Sequence, residues 1–142
     1  MRALINCLVV PSMAVLMCGS AGCGGGPDRP KTVAVTGKVT SKGQPVTSGT
    51  VAFVPTAANG PRPASGEIDS SGNYKLMTFE PGDGALPGEY KVSISSFTGA
   101  DPATKSEGKK ALPDKYYRAD TSGLTASIKP GDSAKVFDFK AD

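Results

Sequence analysis

The sequence predicts an all-β protein, a two-sheet β-sandwich that begins near residue 33. Three observations predict it. From Val33 onward apolar residues alternate with period two, the pattern of strands with one buried face. Turn residues interrupt the apolar runs about every ten positions, the spacing of sandwiches and barrels. No stretch beyond Val33 carries the three-to-four-residue apolar repeat of an amphipathic helix.

The first strand is predicted at Val33 to Ser41, with Val33, Val35 and Val39 inward and Thr32, Thr36, Lys38 and Thr40 on the wet face. Lys42-Gly43-Gln44-Pro45 makes a turn, and Gly49 to Pro55 follows with Val51 and Phe53 inward. After a Pro- and Gly-rich loop, Ala64 to Asp69 and Asn73 to Phe79 form a hairpin with Ile68, Tyr74 and Leu76 inward. Its turn is Ser70-Ser71-Gly72, where glycine supplies the positive φ that hairpin turns demand. Pro81-Gly82-Asp83-Gly84 breaks the chain again. The next strand, Glu89 to Ser96, alternates Tyr90, Val92 and Ile94. Gly123 to Lys129 carries Leu124, Ala126 and Ile128, and Ala134 to Lys140 carries Phe137 and Phe139, with Pro130-Gly131-Asp132 as the turn between them.

Seven strands leave one long gap, Phe97 to Thr121. Residues Gly99 to Lys110 offer only Ala as apolar side chains, too little to offset the entropy of ordering them, so this half is expected to be mobile. Leu112, Tyr116 and Tyr117 can dock the second half on the sheet edge. In an extended segment the two tyrosines would face opposite ways, one plugging the core and one exposed. Helix is expected to be absent or limited to one short turn after Phe97.

Composition narrows the chemistry. The chain has 142 residues, a net charge of +3, 38% hydrophobic residues and no Trp, so its core must be small and aliphatic-rich. Near-neutral charge argues against a nucleic-acid binder. There is no His, which removes the commonest general base and the commonest metal ligand together. With no His and no Cys beyond Cys23, zinc, copper and haem sites lack their donors, and no cofactor is expected.

The first 32 residues read as an address. Arg2 precedes the apolar stretch Ala3 to Met17, about 15 residues, shorter than the roughly 20 of a spanning helix. Ser20-Ala21-Gly22-Cys23 then resembles the lipobox of bacterial lipoproteins, with small residues before a cysteine after a signal-peptide apolar region. Ser20 departs from the Leu usual three positions before the cysteine. Cys18 competes, with Val15 well matched at that position, but Met17 directly before it is too large. The ordinary alternative is a secreted protein cleaved near Ala21 with an idle thiol. The resemblance implies a signal peptide over 1–22, and lipid attachment at Cys23 with fatty acyl chains such as palmitate. A Gly/Pro-rich tether over 23–32 and the domain over 33–142 would follow. Several chains on one residue would anchor firmly where one alone holds marginally. No Asp follows Cys23, which by resemblance to lipoprotein sorting patterns implies the outer membrane over the inner. Cys7 and Cys18 would leave with the signal, so the mature domain would hold no disulfide.

Val35-Thr36-Gly37-Lys38-Val39 with Pro45-Val46 resembles the opening of carboxypeptidase regulatory-like domains. Gly66-Glu67-Ile68-Asp69-Ser70-Ser71-Gly72-Asn73-Tyr74-Lys75-Leu76 resembles their hairpin, and Leu86-Pro87-Gly88-Glu89-Tyr90-Lys91-Val92 the strand that follows. Leu112-Pro113-Asp114-Lys115-Tyr116 and Thr121-Ser122-Gly123-Leu124-Thr125 are similar to the closing part of small lipoproteins abundant in planctomycete-type bacteria. The resemblance covers nearly all of 33–140. It implies a seven-stranded Greek-key β-sandwich of the transthyretin (prealbumin)-like type and a non-catalytic adhesion, scaffold or binding module. These motifs are turn and core residues, so they speak to fold and hardly to chemistry. The hydroxyisourate hydrolases of that fold rely on histidines and a Tyr-Arg-Gly-Ser motif. This chain has no His, and Tyr117-Arg118-Ala119 is not that motif.

Other chemistries find little footing. Asp69-Ser70-Ser71-Gly72 and Asp120-Thr121-Ser122-Gly123 each offer one carboxylate, whereas calcium takes six to eight oxygens, so Asx-type turns explain them better. Sugar stacking would fall to Tyr116 or Tyr117, against plain packing. A serine nucleophile lacks a base. Lys105, Lys109 and Lys110, with Tyr116 and Tyr117, are the candidate contacts for a partner, against a merely solvated loop. The expected partners are a membrane through the lipid and envelope proteins or glycans. Three functions follow: a non-catalytic envelope lipoprotein, a carbohydrate-binding accessory module, and a divergent hydrolase.

Overall fold

A computed structural model describes residues 29–99 and 108–142. The signal segment, Cys18, Cys23 and Lys105 lie outside the described residues. The protein is all-β, with a single 3-10 turn at Asp114–Tyr117 as the helical element among the described residues. The strands are β1 (Ala34–Ser41), β2 (Gln44–Pro45), β3 (Gly49–Pro55), β4 (Ala64–Ile68), β5 (Asn73–Lys75) and β6 (Gly88–Ser95). They continue with β7 (Phe97–Thr98), β8 (Lys109–Lys110), β9 (Leu124–Ile128), β10 (Ala134–Val136) and β11 (Phe139–Lys140). Each of the seven predicted runs holds a strand, and the alternation places Val35, Val39, Val51, Phe53, Tyr74, Tyr90, Val92 and Ile94 in the core.

One nine-stranded sheet runs β10-β1-β5-β4-β3-β6-β9, with β2 and β11 also paired to β1, and β7-β8 form a separate ladder. The sheet is antiparallel except where β10 and β11 lie parallel to β1. It is strongly curled. Its end strands β9 and β10 are joined by only Lys129 to Ser133, a connection that reaches less than about 20 Å. The curl brings Phe53 of β3 against Phe137 and Phe139 at the other end of the sheet, with ring centroids 5.9 and 6.1 Å apart. Opposed faces of one sheet thus enclose the core, in the manner of a β-sandwich.

Several expected boundaries shift for visible reasons. The turn after β1 tightens to Lys42-Gly43, both at positive φ, and lets Gln44 and Pro45 pair back on β1. The second hairpin arm ends at Lys75 rather than Phe79. There the chain leaves the ladder, and the Asp83 carboxylate accepts from the Thr78, Phe79 and Glu80 amides at 2.7–3.1 Å. The last run splits into β10 and β11. At the break the Asp138 carboxylate takes the Lys38 amide at 2.8 Å, doing the work of a ladder carbonyl. The Phe137 carbonyl turns inward and accepts from the Tyr74 hydroxyl at 2.8 Å. Gly37 makes room for it: a Cβ there would fall on the Phe137 carbonyl, inside contact distance, and 2.8 Å from the Tyr74 oxygen.

Gly37→Ala should therefore destabilise the fold by about 1–3 kcal/mol, the cost of forcing a methyl into a packed interior. Tyr74→Phe should cost about 1–2 kcal/mol by orphaning the carbonyl. The two sites share one partner, so the double variant should lose less than the sum; denaturant midpoints test this.

A pH dependence also follows. Burial pushes the Tyr90 phenol up to about 12 and holds Tyr74 high as well, with help from the Asp138 charge. Unfolded phenols titrate near 10, so above that pH the unfolded chain binds fewer protons than the folded one. This contribution to stability should be intact below about pH 10 and lost as pH climbs towards 12. Phenolate absorbance and ellipticity should then change together.

Candidate functional site

The strands give the molecule two poles. At one pole lie Arg29, Val33, the loop from Thr78 to Gly84, and the start of β6. Val33 bridges Ala85, Ser65 bridges Met77, and Pro55 pairs with Tyr90. At the other lie the Lys42-Gly43 turn, Gly72, the start of β3, Ser96 and Phe97. Here the Val39 amide donates to the Gly72 carbonyl and the Ser96 hydroxyl donates to the Ser48 carbonyl at 2.6 Å.

The segment expected to dock is built onto this second pole. Leu112 and Tyr116 are buried and Tyr117 is half-buried. The segment is 3-10 rather than extended, so the two tyrosines do not split into one plug and one exposed ring. Tyr116 enters the core and donates its hydroxyl to the Asp142 carbonyl at 3.0 Å. Tyr117 donates to the Ser96 carbonyl, and its hydroxyl accepts the Ala111 amide at 3.1 Å. Its ring meets Phe97 edge-on at 5.4 Å, and the Lys110 ammonium sits 4.9 Å from its centroid.

The expectation that the chain is mobile as far as Lys110 is corrected at its end. Lys109 and Lys110 form β8, paired with Thr98 and Phe97, and Lys110 also reaches Asp114 at 2.7 Å. Backbone pairing, an ion pair and an aromatic face supply the order that apolar content could not. Four of the predicted contact residues, Lys109, Lys110, Tyr116 and Tyr117, are thus brought to one pole, with Tyr116 serving the core. Sequence reasoning missed Phe97. It is 43% exposed, and its signal was its place one residue past the end of the strand predicted at Glu89 to Ser96.

The acidic turns behave as turns. The Asp69 carboxylate accepts the Asn73 and Ser71 amides at 2.9 and 2.8 Å, which lowers its pKa. Asp120 is lowered by Lys91, 2.8 Å away. Among the described residues no three His, Cys, Asp or Glu side chains gather into a possible metal site. An open groove of about 1270 Å³ crosses the outer face of β10, β1, β5 and β4. Its charges are mixed, Lys38 and Lys75 against Glu67, Asp69 and Asp138, so it presents no one sign to a ligand.

The chain matches no family model, no curated protein and no solved structure.

Tyr117→Phe should loosen the docked segment alone. Trypsin should cut the variant faster at Lys110, Lys115 and Arg118, with the overall unfolding midpoint falling by about 1 kcal/mol equivalent. Unchanged cleavage would mean that the hydroxyl does not hold the segment.

Proposed function

We propose that this chain is a non-catalytic lipoprotein of the cell envelope, held by acyl chains on Cys23, in the outer membrane rather than the inner. Its domain is proposed as a seven-stranded Greek-key sandwich of the transthyretin-like, carboxypeptidase regulatory-like kind. It binds or spaces envelope proteins or glycans. The observation that carries this reading is the opposition of the poles. The chain leading from Cys23 joins the domain at Arg29 and Val33. Phe97, Lys109, Lys110 and Tyr117 lie at the other end of β1, whose eight residues span roughly 26 Å. An anchor at one pole leaves the aromatic and basic cluster facing outward. Loops on a rigid scaffold are where binding residues concentrate.

A second reading, a carbohydrate-binding accessory module, draws support from the exposed Phe97 ring. Retention on insoluble glycans, lost in Phe97→Ala, would favour it over a protein partner.

Replacing the acylated thiol tests the main reading. Cys23→Ser should move the protein from the membrane to the soluble fraction. Membrane association that survives the substitution would transfer the anchor to Cys18 or to an uncleaved signal.

A further inference from the structure

The pole that joins the tether carries its own charged surface. The Arg29 guanidinium lies 5.6 Å and the Arg62 guanidinium 5.5 Å from the Phe79 ring centroid. Beside them a shallow cleft of about 380 Å³ is lined by Arg29, Lys31, Thr32, Phe79, Glu80 and Asp83. The acids of this pole are engaged within the fold. Glu80 pairs with Arg29 at 2.8 Å. Asp83 is taken by three backbone amides. Asp132 accepts from the Lys129 amide and pairs with Lys135 at 3.3 Å, and Glu89 accepts from the Ser127 hydroxyl. Lys31 and Arg62 pair with no acidic side chain among the described residues, while Lys129 lies close enough to Asp132 to act on its charge. Two guanidinium groups thus hold an aromatic ring in place, and the unpaired Lys31 lines the cleft beside it.

We propose that this pole is a foot that rests on a lipid surface, with Lys31 and Arg62 against anionic phosphate headgroups and Phe79 at the interface. The proposal rests on the reading of Cys23 as the lipidated residue. Chain length keeps this pole near the lipid. Five residues lie between Cys23 and Arg29, so even a fully extended chain keeps Arg29 within roughly 20 Å of the lipid. Within that reach an anionic surface attracts basic side chains over about a Debye length. Arginine suits the task, because its planar guanidinium binds phosphate with paired donors while stacking on an aromatic ring. The foot would fix the orientation of the domain, which attachment through one residue alone would not do.

The chain has no Trp, which allows a single reporter. Phe79→Trp is placed in the full mature lipoprotein, acylated and reconstituted in vesicles of phosphatidylglycerol or phosphatidylcholine that carry a headgroup-proximal quencher. The introduced indole should be quenched in the anionic vesicles and much less in the zwitterionic ones. Quenching should be lost in roughly 1 M salt, where the screening length falls to about 3 Å, and in the Lys31→Gln/Arg62→Gln variant. A Phe97→Trp reporter at the far pole should stay unquenched throughout. Equal quenching in both vesicle types, or none in either while the protein stays vesicle-bound, would overturn the foot and leave the anchor standing. Failure of the protein to be acylated at Cys23 and to remain with the vesicles would overturn the anchor, and the foot with it.

Discussion

The rest of the structure depends on the parallel seat of the C-terminal segment along β1. A sheet with free ends would leave Phe53, Val51 and the inner face of β6 open to water. Docking of β10 and β11 on β1 carries Phe137 and Phe139 over that face, and Phe53 then touches Tyr90, Phe137 and Phe139 together. The partners are far apart in sequence, Ala34 opposite Ala134, so closure is entropically costly and must be well fastened. It is fastened along its length. The Phe137 amide donates to Thr36 and the Ala141 amide to Thr40, the Ser41 hydroxyl to the Ala141 carbonyl, and the Lys42 amide to the Asp142 carboxylate. The local break at Phe137-Asp138 keeps its hydrogen bonds because Gly37, Tyr74 and Asp138 each accept part of the distortion. Every buried side-chain polar atom among the described residues has a partner, as a small aliphatic core without disulfides requires.

The same closure sets the polarity of the molecule. Because β1 runs from the pole of Arg29 and Val33 to the opposite one, and β10 and β11 run beside it in the same direction, Asp142 reaches the far pole. There its carbonyl takes the Tyr116 hydroxyl. The docked segment is thus clasped between Ser96 on one side of the curl and Asp142 on the other. It ties the two ends of the sheet together at the pole where no turn does so. Ser122 makes a comparable tie lower down, donating to the Val92 carbonyl from a buried position. The hydroxyls of Ser96 and Ser122 are thus interior fasteners.

Much of the fold was legible because strand alternation is a local property. Val51 and Phe53, or Tyr90, Val92 and Ile94, announce their face without reference to anything else. What was not legible depended on pairing between distant residues. Nothing local marks β10 and β11 as parallel partners of β1, and nothing marks the Asp138 carboxylate as a substitute for a carbonyl. Likewise Lys109 and Lys110 looked like part of a solvated lysine loop, since their order comes from Phe97, Asp114 and the Tyr117 ring. The candidate site was half legible for the same reason. Tyr116 and Tyr117 stood out as apolar area needing a place. Their division of labour, one in the core and one holding Ser96, depends on where the one short helical turn expected after Phe97 falls, and no local pattern marks Asp114–Tyr117 as that place.

Residues that carry charge separate the two poles more sharply than composition does. Net charge is small because acids and bases nearly balance over the chain, but they are not equally available. At the tether pole carboxylates are spent on backbone amides in turns, as Asp83 and Asp132 are. Their negative charge stabilises the turns and is partly neutralised by the amides that face it. The bases, on long side chains, stay at the surface. Lys31 and Arg62 are thus left at the surface without an ion pair, although the acids around them keep their charge. At the far pole the balance differs: Lys110 is drawn to Asp114 and to an aromatic face, leaving Lys109 beside exposed Phe97. One pole offers cations around a half-buried ring, and the other offers the exposed Phe97 ring beside half-buried Tyr117 with a few cations. On the proposed reading this division is functional. Electrostatic attraction orients the domain on a surface that is everywhere alike, while exposed aromatic area at the free end can supply the selectivity that a partner requires.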